Sequence, residues 1–173
     1  MLAEKRLMKA SDARKLQWVL VFTHAMWFFG NLYEEIVDTP NLLAHAVEAR
    51  AMWRQYHALT NPVYYHVPNT LVALAVLALV HACGRQHFTS EGARFFKRAT
   101  AFSLLGVGLT VAIVTTLNFS LFLGTQLLPA PSIQWLVLTW LIGNGLRLGF
   151  VGTALFYFLK SILLTSLPLR TND

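Results

Sequence analysis

His24, Trp27, Asn31, Glu34 and Glu35 follow one another at offsets of three or four residues. That spacing lines them along one face of a helix. Three later stretches carry a matching set: Asn69 in the second apolar run, Thr115 and Asn118 near the end of the third, and Trp140, Asn144 and Arg147 within the fourth. A carboxylate or an imidazole can take a proton from a substrate. A guanidinium flanked by amides can hold the oxyanion that this leaves. Glu34, His24 and Arg147 are therefore the candidate catalytic residues, with Asn31, Trp27, Glu35, Asn69, Asn118, Trp140 and Asn144 as candidate substrate contacts.

Their surroundings are apolar. The chain has 173 residues, 55% of them hydrophobic and 13% charged, with a mean hydropathy of +0.51. A spanning helix needs about 20 mostly apolar residues, and four segments qualify: roughly 16–37, 67–84, 99–123 and 132–164. The expectation is a single all-α domain over residues 1–173, an integral membrane four-helix bundle. The outer loop between the first two spans adds a short amphipathic helix, because Leu42, Ala46, Ala49 and Trp53 recur at helical spacing.

The formal charge of +6 is a topology signal. Lys5, Arg6, Lys9, Arg14 and Lys15 precede the first run, Arg85, Arg94, Lys97 and Arg98 lie between the second and third, and Lys160 and Arg170 close the chain. Only Arg50 and Arg54 fall on the other side. The positive-inside rule then puts both termini and the middle loop in the cytoplasm, in a membrane expected to be a bacterial inner membrane. No nucleic-acid partner is implied, since the basic residues alternate with apolar runs. The partners expected are the bilayer, a small lipophilic molecule and, as an open alternative, further copies of the chain.

In hydrocarbon, polar side chains face the protein interior or a wet cavity. A rise of about 1.5 Å per residue places Glu34, Glu35, Asn31, Asn69 and Asn118 within roughly 10 Å of the outer boundary, and His24, Asn144 and Arg147 about 18–22 Å down. The expected site is an acidic, amide-lined cleft that opens outward above a His, Asn and Arg floor. Any one of the asparagines is also explained by hydrogen bonds between helices, and a lone His on an apolar helix is more often a core residue. Arg147 is harder to explain by packing, since a guanidinium at that depth needs a partner.

Several chemistries find no support. Cys83 is the only cysteine, which excludes an intrachain disulfide and a multi-cysteine zinc site. No Glu-x-x-His pair marks a di-iron bundle, and His24 and His81 are offset in depth by several Å, unsuited to one haem. Gly106-Val-Gly108 lies inside an apolar span and is no nucleotide loop. No metal and no cofactor is expected.

The string Trp27-Phe-Phe-Gly30-Asn31-Leu-Tyr33-Glu34-Glu35, followed by Pro40, Trp53, Asn61-Pro62 and Asn118, resembles a family of four-helix membrane proteins named for anthrone oxygenase. The resemblance covers about three quarters of the chain and carries over Asn31, Tyr33, Glu34, Pro40 and Asn118 by position, adding Tyr33 to the substrate contacts. It implies oxidation of an anthrone-type carbon acid without an evident cofactor. The function expected is binding of a small lipophilic substrate in an outward-facing polar pocket, as an oxidoreductase of that kind. The alternative is a transporter or a non-catalytic binding or assembly subunit of a membrane complex. Inverted repeats or broken helices would favour transport, and the sequence displays neither.

Overall fold

The computed structural model describes residues 8–60, 62–123 and 128–166. Every regular element in this range is helical. Three helices are long and apolar enough to cross a membrane, spanning Pro62–His87, Ser90–Phe122 and Ala130–Thr165, and they give the chain its membrane character. The first long helix, α1 (Ala10–Tyr33), is not one of them. Gln17, His24 and Asn31 on its buried face lower its apolar average, so the residues that make α1 chemically interesting also weaken its hydropathy signal.

A π-helical segment, Glu34–Asp38, continues α1 and leads into two short helices, α2 (Thr39–Ala44) and α3 (Ala46–Tyr56). One amphipathic helix was expected there. The break falls at His45, which has φ −140° and ψ 62° and interrupts the helical ladder. Next comes α4 (Pro62–Leu79), which starts five residues before the expected span because Pro62 suits a first helical turn. Pro68 therefore lies inside the helix, where it lacks the N–H that would bond back one turn. A second π segment, Val80–Gly84, and a short 3-10 turn finish this element.

The Thr89 hydroxyl accepts from the Gly92 N–H at 3.0 Å and starts α5 (Ser90–Ile113), a standard N-cap. A third π segment, Val114–Leu123, extends it. The last helix, α6, runs Ala130–Ser166. Asn61, Lys5, Arg6 and Arg170, to which the sequence reading assigned motif or topology roles, lie outside the described residues.

α6 is the hub, packing along α5 and against α1, while α1 also packs on α4. α5 and α6 come close at Gly92, where an added Cβ would stand 2.6 Å from the Thr165 hydroxyl and 3.3 Å from the Ser161 carbonyl. Two apolar clusters result. The inner one joins Leu20, Val80, Phe96, Ala154 and Phe158. The outer one joins Leu42 and Ala46 to Leu121, Ile133, Val137 and Trp140. Between their levels on α1 and α6 lie the polar residues Asn31, Asn144 and Arg147, all buried.

Candidate functional site

A guanidinium can only donate hydrogen bonds, so the amides around Arg147 turn their oxygens toward it. Arg147 Nη2 donates to Asn31 Oδ1 at 2.5 Å and also to Asn144 Oδ1 one turn back on its own helix. Glu34 Oε2 stands 3.6 Å from the same nitrogen, an ion pair too long to be a good hydrogen bond. Arg147 is 5% exposed and the Glu34 side chain 14%. Both charges are thus withdrawn from solvent and held in place by α1 and α6. Among the described residues, the Nε–H of Arg147 and the Nδ2 of Asn31 have no hydrogen-bond partner.

The other carboxylate oxygen of Glu34 meets His66, which was not among the candidate site residues. His66 Nε2 lies 3.1 Å from Glu34 Oε1, and its Nδ1 is buried without a partner among the described residues. Glu34 thus links a permanent cation to an imidazole, a pairing that can accept a proton and hand it on. The signal for His66 was its position: three residues before Asn69, it occupies the same face of α4.

The π segment explains how two consecutive glutamates both turn inward. The backbone N–H of Thr39 bonds to the Glu34 carbonyl five residues back, and the Thr39 hydroxyl reaches that carbonyl at 3.1 Å and Glu35 Oε2 at 3.5 Å. This widened turn lets Glu35 lean toward Asn144 while Glu34 faces Arg147. Such segments occur frequently at functional sites.

The remaining candidates divide. Trp140 donates its indole N–H to Asn118 Oδ1 at 2.8 Å, and both line the cavity described below. Asn69 Nδ2 donates to the Thr23 carbonyl at 2.9 Å, which fastens α4 to α1 away from the guanidinium. His24 lies in the inner core: Nδ1 donates to the Leu20 carbonyl and Nε2 faces the Ser103 hydroxyl, each at 2.8 Å. With both ring nitrogens engaged, His24 has no free position for a substrate proton. Trp27 is buried beside it, ring centroids 6.0 Å apart, whereas Tyr33 is 60% exposed.

A groove of about 380 Å³ runs between the N-terminal half of α4 and the C-terminal part of α5 with its π extension, and ends at Arg147, Glu34 and His66. Its size falls within the roughly 300–1,000 Å³ typical of small-molecule sites. Above it, beneath α2 and α3, lies a void of about 50 Å³ walled by Asp38, Leu42 and Trp53. The two spaces share Glu34, Asn118 and Trp140 in their walls. Arg50 and Arg54 secure the cover: Arg50 donates to the Leu121 and Ser120 carbonyls at 2.6 and 3.1 Å, and Arg54 to the Phe122 carbonyl at 3.2 Å.

Among the described residues, no group of three or more His, Cys, Asp and Glu side chains is arranged to hold a metal ion. Comparison with protein-family models, curated proteins and solved structures gave no match.

Proposed function

We propose that this chain crosses the membrane four times as one bundle, with both termini cytoplasmic, and binds a small lipophilic carbon acid or enol in its outer cavity. Glu34, in partnership with His66, takes the substrate proton. Arg147, held by Asn31 and Asn144, receives the oxyanion. By resemblance to the anthrone oxygenase family, the enolate then reacts with dioxygen without a resident cofactor: a ring CH2 becomes C=O, one O2 is consumed and one water is released. The observation that carries this reading is the placement of Glu34 between Arg147 at 3.6 Å and His66 at 3.1 Å in the wall of the groove.

The test is oxygen uptake and absorbance with anthrone in vesicles holding the purified protein. Wild type should outpace protein-free vesicles, and Glu34→Gln should lower the protein-dependent rate by about 100-fold or more, the usual contribution of a positioned base. A wild-type rate equal to that of empty vesicles would overturn the enzyme reading. Saturable anthrone binding without turnover would move the chain to the binding or transport alternative.

Topology has its own measurement. In a Cys83→Ser background, Met52→Cys on α3, 69% exposed, should react with an impermeant maleimide added to intact cells. Gln86→Cys, on the opposite side, should react only after lysis. The reverse pattern would refute the orientation.

A further inference from the structure

The walls of the groove change character along its length. At its closed end stand Glu34, His66 and Arg147; toward its open edge the wall is Val67, Leu71, Val107 and Val111. Leu71 and Val111 form the lips, 60% and 56% exposed, on helices that face one another without packing closely. The seam closes only toward the inner end, where His81 Nε2 meets the Thr100 hydroxyl at 3.0 Å and the His81 ring lies 5.0 Å from Phe96.

The space on the α2 and α3 side is small by comparison. A void of about 50 Å³ under α2 and α3 holds one or two waters, each needing about 30 Å³. The cover over it is fixed by Arg50, Arg54 and the stacking of Trp53 on Phe122 at 4.3 Å.

We propose that the α4–α5 seam is a side entrance from the outer leaflet, taking a weakly acidic amphiphile whose head reaches Arg147 while its apolar chain lies between Leu71 and Val111. The inference rests on the function proposed above and names its substrate class. Such a molecule travels in the bilayer as the neutral acid, because charge is costly in hydrocarbon. It becomes an anion only at the closed end, where Glu34 and His66 take the proton and Arg147 receives the oxygen. Net charge in the cavity is unchanged by that transfer.

The probe is a fatty acid carrying a mid-chain diazirine, compared with its methyl ester, in phosphatidylcholine vesicles containing the full chain. On illumination, adducts of the acid should concentrate within residues 63–74 and 107–115. Leu71→Trp and Val111→Trp, on separate helices and each placing bulk at an exposed position, should each cut that labelling at least fivefold. Labelling at Ile142 and Leu146, exposed on α6, should stay constant. Arg147→Met should reduce acid labelling to the level of the ester. Seam labelling no denser than at Ile142 and Leu146, undiminished by either Trp variant, or equal for acid and ester would overturn the proposal. Anthrone turnover indifferent to both Trp variants would also remove the entrance and leave the catalytic reading standing. Seam labelling by the acid in a protein that never oxidises anthrone would do the opposite.

Discussion

Arg147→Met should destabilise the protein by about 3–5 kcal/mol, the usual cost of breaking a buried ion pair from one side, and should abolish protein-dependent anthrone oxidation. The methionine fills the space of the stem, yet it leaves Glu34 without its cation and turns two amide oxygens, of Asn31 and Asn144, toward an apolar group. Arg147→Lys separates the two effects. An ammonium keeps the charge opposite Glu34 and restores much of the stability, but it cannot reproduce a planar fork that serves two amides and a ligand oxygen together. Its turnover should remain at least tenfold below wild type. Thermal melts and oxygen uptake for both variants in one detergent provide the comparison. Full turnover in a folded Arg147→Met protein would sink the oxyanion assignment.

Arg50→Ala should release the cover over the site. Arg50 is 8% exposed, and burial, with Arg54 adjacent, lowers its pKa from the usual guanidinium value. That burial is offset by bonds to the Leu121 and Ser120 carbonyls, at a helix end where carbonyls lack partners within the helix. Hydrogen bonds from a charged donor contribute about 1.5–3 kcal/mol each, so loss of both should cost about 3 kcal/mol or more. Amide hydrogen exchange over residues 46–56 should accelerate by about 100-fold, the equivalent of that figure, while amides around Asn144 keep their protection. Unchanged protection in Arg50→Ala would mean that Leu42, Ala46 and Trp53 hold the cover by apolar contact alone.

Helical spacing and hydropathy were enough to read an all-helical chain of membrane character from its residues. The three apolar runs stand out because little polar matter interrupts them, whereas α1 carries Gln17, His24 and Asn31 along its buried face. The meeting of Arg147 with Asn31, Asn144 and Glu34 follows from a simple cost: a deep guanidinium must collect acceptors. Depth along a helix was less informative, since residues at similar heights can face different neighbours. Heights also shifted where a helix began early: α4 starts at Pro62, which sets Asn69 deeper than expected, bonded to Thr23 beside His24, and His24 itself pairs with Ser103. Three features left no periodic trace. The π segments change the helical register that spacing arguments assume, and with it the directions of Glu34, Glu35 and Asn118. His66 precedes the expected start of its span and reads as loop until α4 is known to begin at Pro62. Arg50 and Arg54 resemble solvated loop charges, because backbone carbonyls, their partners here, are the same in every sequence.

The ion pair of residues 34 and 147 joins the first long helix to the last, and this orders the protein's biogenesis. A chain is made from its N-terminus at about 5–20 residues per second, so α1 waits about 6–23 s for the guanidinium that faces its carboxylate. During that interval Glu34 and Glu35 sit near a membrane boundary with no cation from α6 to accompany them. In the proposed four-span arrangement, a nascent chain halted before α6 would hold α1 only loosely across the bilayer. Insertion of the final helix is then the step that commits the first one, and the site comes into being at the moment the bundle closes.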